Sequence, residues 1–349
     1  LIMAYTTVNN GSLFMNPTLY TGNGSTQSIN VGFQPDFTWI KTRSGTTGTE
    51  GHRLQDAVRG STKYLESNGT ALEGTQAQGV TSFTSTGFNL GTDGSYNYNT
   101  APIVSWNWKA GTTSGIVQGG ASITPSAYSF NQTSGFSIIK YQGTGANATV
   151  PHGLNAVPKM ILFKSLANSI SWIVYSSQLN ISSSNCLRLN GTNAAFTESA
   201  WNDTRPTTSV FSLGPHNEAN NSSGETIAYC FADVQGFSKM GSYVGNGSTN
   251  GTFVYTGFKP AFVLYKKSSG TENWFMHDNK RQGYNPDNEY LFPDLSNAEG
   301  SLNRINLLSN GFKATTSDGG INGSGATYIF MAFAENPITS STGVPSTAR

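Results

Sequence analysis

Pro35-Asp36-Phe37-Thr38-Trp39-Ile40-Lys41, Pro158-Lys159-Met160-Ile161-Leu162-Phe163-Lys164 and Pro260-Ala261-Phe262-Val263-Leu264-Tyr265-Lys266 read as three versions of one strand. Each is apolar on both parities, the pattern of a strand buried on both faces. Proline stands first, where a sheet tolerates a missing N–H donor. Each strand is followed by a second apolar stretch: Val104 to Trp108, Ile227 to Phe231, and Ile329 to Phe333. Lys41 to Trp108, Lys164 to Phe231 and Lys266 to Phe333 all span the same 67 positions.

Working outward, a third element recurs between these anchors as Gly87-Phe88-Asn89-Leu90, Val210-Phe211-Ser212-Leu213 and Gly311-Phe312-Lys313-Ala314. A turn-like opening precedes each set as Tyr20-Thr21-Gly22-Asn23-Gly24, Tyr141-Gln142-Gly143-Thr144-Gly145 and Tyr243-Val244-Gly245-Asn246-Gly247. An ordered set repeated at constant spacing is the signature of tandem repeats. In the first closing stretch Val104, Trp106 and Trp108 alternate with Ser105, Asn107 and Lys109, which predicts a half-buried strand. Helical signals are limited to short turns at residues 54–59 and 297–308. The expected fold is all-β: three tandem, related antiparallel β-sandwich units.

The repeats set the boundaries. Residues 1–18 form an N-terminal segment and 19–111 the first unit. Residues 112–122 are a Gly/Ser/Thr linker, 123–236 the second unit, 237–335 the third, and 336–349 a C-terminal tail. The short join at residues 233–242 predicts that units two and three pack together. Ile2, Leu13, Phe14 and Met15 are not needed by the repeat pattern. They either anchor the chain or complete its first sandwich.

Composition narrows the function. Charged residues make up 11% of the 349, against an apolar fraction of 36% and an aromatic fraction of 12%. The solvated surface must therefore be largely Asn, Ser, Thr and Gly, a composition that suits short strands and tight turns. Twenty basic residues against nineteen acidic ones give a net charge of +1, and no basic run is long enough to track a phosphate backbone, so nucleic acid is not expected as a partner. No stretch approaches the twenty or so apolar residues that cross a bilayer, so membrane insertion is not expected, and the first twenty residues lack signal-peptide character. Cys186 and Cys230 are expected to be free, buried thiols.

No catalytic, cofactor or metal set stands out. The four histidines, His52, His152, His216 and His277, lack metal-ligand spacing, and neither a nucleophile elbow nor a phosphate loop occurs. Asp93-Gly94 and Asp318-Gly319-Gly320 fit calcium or plain turns. Asp56-Ala57-Val58-Arg59 is matched by Asp278-Asn279-Lys280-Arg281, and the spacing permits either a local ion pair that orders a turn or a polar recognition loop. Trp201, in Glu198-Ser199-Ala200-Trp201-Asn202-Asp203, has polar neighbours and is expected to be exposed. Candidate surface-recognition residues are thus Asp56, Arg59, Trp201, Asp278 and Arg281. Lys41, Lys164 and Lys266 are expected to cover apolar surface with their stems while the ammonium reaches water or a carboxylate.

Tyr20-Thr21-Gly22-Asn23-Gly24, Gly32-Phe33-Gln34-Pro35-Asp36-Phe37, His52-Arg53-Leu54, Ala228-Tyr229-Cys230-Phe231-Ala232-Asp233 and Met331-Ala332-Phe333-Ala334-Glu335-Asn336 together resemble tail-fibre-like, repeat-containing structural proteins of tailed, often marine, phages. The resemblance implies a non-enzymatic virion component, a fibre or capsid decoration assembled in the host cytoplasm, with jelly-roll or lectin-like sandwich units. It transfers no functional residue. A low-charge chain makes weak individual contacts, so a symmetric homo-oligomer is expected, a trimer being favoured, bound to other virion proteins and to a host-surface glycan. The alternative is a secreted bacterial adhesin or carbohydrate-binding module.

Overall fold

A strand that is apolar on both parities needs a partner layer on each face, and the sheets supply it. The computed structural model describes residues 6–44, 50–282 and 284–335. The chain is nearly all β, in several antiparallel sheets. Three principal sheets share one strand order: opening, closing, proline-led and following strand. In the first third these are Met15–Thr21, Pro102–Trp108, Phe37–Thr42 and Arg53–Asp56. The middle third has Phe136–Gln142, Glu225–Ala232, Pro158–Ser165 and Ile173–Ser176, with Ala127–Asn131 added outside the opening strand. The last third has Ser238–Val244, Thr327–Ala334, Pro260–Lys267 and Trp274–Asp278. Phe37 lies opposite Trp108 and Asp56, Met160 opposite Phe231 and Ser176, and Phe262 opposite Phe333 and Asp278. The positions aligned in sequence are therefore aligned in register.

One parity of every principal sheet enters a single shared core. Phe37, Trp39, Trp106 and Trp108 meet Phe136, Met160, Tyr229 and Phe231, and both groups meet Phe262, Leu264, Met331 and Phe333. At its centre the last aromatics of the three closing strands form a near-equilateral triangle. Ring centroids are 6.2 Å apart for Trp108 and Phe231, 5.8 Å for Trp108 and Phe333, and 6.0 Å for Phe231 and Phe333. The opposite parity packs outward: Ile40 and Ile103 join Ile29, Phe88 and Leu90, while Ile161, Phe163 and Ala228 join Val150, Phe211 and Leu213. Gly87–Leu90, Val210–Leu213 and Gly311–Ala314, the third repeated element, are strands of these outer sheets.

The recurrent opening motif is explained by a buried asparagine. The hydroxyls of Tyr20, Tyr141 and Tyr243 donate to the carbonyls of Tyr96, Ala219 and Ile321 at 2.8, 2.6 and 2.9 Å. The next residues, Asn97, Asn220 and Asn322, are buried and clamp the loop: their side-chain oxygens accept from the amides of Asn23, Thr144 and Asn246. A Cβ on Gly22, Gly143 or Gly245 would sit 2.0, 2.2 or 2.4 Å from a backbone oxygen, so the first glycine is obligatory.

Several expectations are corrected by burial and pairing. Ser105 and Asn107, read as the wet face of a half-buried strand, are fully buried because the outer layer covers them, and Asn107 Nδ2 is satisfied by Asn16 O at 3.0 Å. Residues 54–59 and 297–308 are not helical turns throughout. Leu54 pairs with Trp39 within Arg53–Asp56, and Gly300–Leu308 pairs with Gly311–Ala314. The one-turn helices lie instead at Gly94–Asn97 and Asn217–Asn220, capped by Asp93 and His216. Within the N-terminal segment, Met15 pairs with Trp108 and Phe14 packs on Phe237 at 6.1 Å, so this part completes the sheet. Leu1, Ile2 and the tail at 336–349 lie outside the described residues. The linker at 112–122 is tied down, since Thr112 exchanges both backbone bonds with Phe130. At the join of the middle and last thirds, Ser238 Oγ donates to Ala232 O at 2.9 Å. Cys186 and Cys230 are free and buried, and burial pushes both thiols up to about 12.

Candidate functional site

The Asp-x-x-Arg pairs lie on the seams between thirds. Arg59 Nε donates to Asp56 Oδ2 at 2.5 Å, its Nη2 to Leu54 O, and the Tyr229 hydroxyl from the middle third donates to the same Asp56 oxygen at 2.7 Å. In the last third Arg281 Nε donates to Asp278 Oδ2 at 2.7 Å and Nη2 to Met276 O, while Trp106 Nε1 of the first third donates to Asp278 Oδ2 at 3.0 Å. Glu73 and Glu299 complete the two sets, at 3.5 Å from Arg59 and 3.0 Å from Arg281. Asp278 is buried, which by itself would raise its pKa, but Arg281 beside it holds the carboxyl below its usual range. The Asp56, Arg59, Asp278 and Arg281 side chains are at most 1% exposed. A surface-recognition role is not open to groups that solvent does not reach. They order turns, as the ion-pair reading had it, and join neighbouring thirds as well.

Other seam bonds repeat in the same cyclic sense. The backbone N–H of Glu73 donates to Leu166 O at 3.2 Å, that of Ala195 to Ser268 O at 2.8 Å, and that of Glu299 to Arg43 O at 2.8 Å. Those three donors, and those three acceptors, hold matching places in the three thirds. In the opposite direction Trp172 Nε1 donates to Glu66 O at 2.7 Å and Trp274 Nε1 to Arg188 O at 2.9 Å. His52 fills the same position in the first third, with Nε2 at 3.0 Å from Phe292 O. Trp39 Nε1 can only donate, and it lies 2.8 Å from His52 Nδ1, so the ring is the neutral tautomer with its proton on Nε2. Burial, with Lys41 nearby, holds its pKa well below 6.5.

The three strand-end lysines are also buried, and their ammonium groups meet carbonyls instead of water. Lys41 Nζ donates to Thr42 O, Glu50 O and Ser296 O; Lys164 Nζ to Ser165 O and Asn168 O; Lys266 Nζ to Lys267 O. Burial lowers all three to about 8, against opposing pulls from Glu50 on Lys41, Glu218 on Lys164, and Asp294 and Glu272 on Lys266. Between pH 8 and the ordinary lysine range the unfolded chain binds more protons than the folded one, so stability rises with pH. From pH 8 to pH 9 each lysine is expected to add about 1 kcal/mol. The thiols, whose folded values are raised, act in the opposite sense from about pH 9 upward. Urea midpoints across this interval should climb, and Lys164→Met should remove roughly a third of the lysine-driven slope. An unchanged slope in that variant would refute the assignment.

Trp201 is 1% exposed: its ring lies 5.2 Å from Phe163, and its Nε1 donates to Asn185 O at 3.2 Å. The expectation of an exposed platform fails because polar flanks do not prevent an aromatic ring from turning into the core. Its neighbours do face a cleft of about 460 Å3, lined by Asn147, Ser182, Ser184, Thr197, Glu198, Ser199, Asn202, Asp203 and Pro215. Ser184 Oγ donates to Asp203 Oδ1 at 2.6 Å, and Glu198 Oε2 lies 3.4 Å from His216 Nε2. Ser184, Asn202 and Asp203 hold left-handed backbone, with φ of 44°, 50° and 46°. Such strain concentrates at binding sites. Sequence reading singled out this loop through its tryptophan and passed over the polar residues that line the opening.

Asp93 and Asp318 act in turns: Asp93 accepts from Ser95 N at 3.0 Å, and Asp318 from Gly320 N at 2.8 Å and Arg304 Nη1 at 2.6 Å. Among the described residues no group of three or more His, Cys, Asp or Glu could hold a metal ion, and no helix is long and apolar enough to cross a membrane. No curated protein and no solved structure matches the chain. Over residues 10–337, essentially the whole of the sheets and seams described above, the chain matches DUF7483, a domain of unknown function, and belongs to that family.

Proposed function

We propose that the protein is a non-enzymatic structural component of a virion surface, a fibre or capsid decoration, built from three tandem antiparallel sandwich units and able to attach to a host-surface glycan. The observation that carries this reading is the closed cycle of equivalent seam bonds around the Trp108, Phe231 and Phe333 triangle. Such a cycle makes three related lobes into one stiff body, which suits a load-bearing particle component better than an enzyme that must open and close. Further copies and other virion proteins are the proposed partners, with a homotrimer of the 37.2 kDa chain as the working form. Immunogold electron microscopy of particles from the producing host, with mass measurement of the purified chain, tests both parts. Label on the virion and a threefold mass are expected. Label confined to cells or medium would replace this reading by the secreted adhesin or carbohydrate-binding module, which the polar cleft also supports.

A further inference from the structure

The cleft of the middle third has the character of a preformed polar binding site. Its lining offers the hydroxyls of Ser182, Ser184, Thr197 and Ser199, the amides of Asn147 and Asn202, and two carboxylates. Its volume lies within the range of small-ligand sites. Among the described residues no aromatic face lines it, since Trp201 supports the loop from within the core. Recognition here must therefore rely on hydrogen bonds. Among the described residues Glu198 and Asp203 are the charged groups that line it, and they can only accept while ionised. The ligand must bring donors and should bring no negative charge. The Ser184 to Asp203 bond, with the left-handed backbone on both residues, fixes the site before any ligand arrives.

We infer that this cleft binds a neutral polyhydroxylated ligand, an uncharged oligosaccharide lacking sulfate and carboxylate groups, through Glu198 and Asp203. The attachment reading above supplies only the source of that ligand, a host surface. The full chain is titrated with a panel of neutral hexose and N-acetylhexosamine oligosaccharides and with sialylated and sulfated counterparts, followed by calorimetry and ligand-observed NMR. At least one neutral member should bind, and its charged counterpart should bind at least about tenfold more weakly. Asp203→Asn and Glu198→Gln, both isosteric and both checked for an unchanged melting temperature, should each weaken binding about tenfold or more. Absence of binding by every neutral member, or parental binding in both variants, overturns the inference. Variant-sensitive sugar binding in a chain that immunogold places off the virion would remove the particle reading and leave the cleft assignment standing.

Discussion

Trp108→Ala, Phe231→Ala and Phe333→Ala are each expected to lower the free energy of unfolding by about 3–5 kcal/mol, the usual effect of removing a fully buried large aromatic. The three losses should be alike, because the rings occupy equivalent points of one triangle with centroids 5.8 to 6.2 Å apart. Each ring also touches other members of the shared core: Trp108 meets Phe37 at 5.2 Å and Phe262 at 5.6 Å, and Phe333 meets Phe237 at 5.7 Å. A cavity at this point is lined from three sheets, so no single third can collapse around it. The chain should therefore unfold in one transition, with the midpoint shifted alike by all three substitutions. Urea denaturation followed by tryptophan fluorescence and by far-ultraviolet circular dichroism reads this directly. Separate transitions, one of which moves while the others stay, would mean that the thirds hold independent cores.

Much of this framework was legible because its signals are local. The double-parity strands, the 67-residue spacing and the third repeated element correspond to strands in matching registers. The seams were not legible in the same way. Tyr229 and Asp56 stand 173 residues apart, and Trp106 and Asp278 stand 172 apart, so no local pattern announces either bond. The same holds for Ser105 and Asn107, whose polarity predicted exposure until an outer layer covered them. A usable signal for one buried feature did exist. Asn97, Asn220 and Asn322 each precede the last closing aromatic by the same interval, and three-way alignment would have exposed them. For the cleft, the aromatic residue drew attention and its polar neighbours carry the exposed surface.

The middle third contains its own natural substitution experiment, and the largest effect expected of a single polar residue follows from it. Where the first third has Asp56, Arg59 and Glu73 against Tyr229, and the last has Asp278, Arg281 and Glu299 against Trp106, the equivalent seam has Ser176, Leu179 and Ala195 against Met331. Leu179 and Met331 both belong to the shared core there. One chain thus solves the same packing problem twice with a buried ion pair and once with an uncharged set, Ser176 beside the apolar Leu179, Ala195 and Met331. Breaking a buried pair by removing one partner typically costs 3–5 kcal/mol, because the remaining charge is left uncompensated, whereas replacing the whole set by apolar residues is often neutral or stabilising. Asp56→Ser alone should therefore cost about 3–5 kcal/mol, since it strands the Arg59 guanidinium and the Tyr229 hydroxyl in a dry seam. The combined Asp56→Ser, Arg59→Leu, Glu73→Ala and Tyr229→Met chain, which copies the natural uncharged seam, should recover most of that loss. Urea unfolding of the single, paired and fourfold variants would yield the coupling energies. If the fourfold chain were no more stable than Asp56→Ser, the ion pair would be holding the seam in a way that apolar packing cannot replace, and the equivalence of the three seams would fail as an energetic statement.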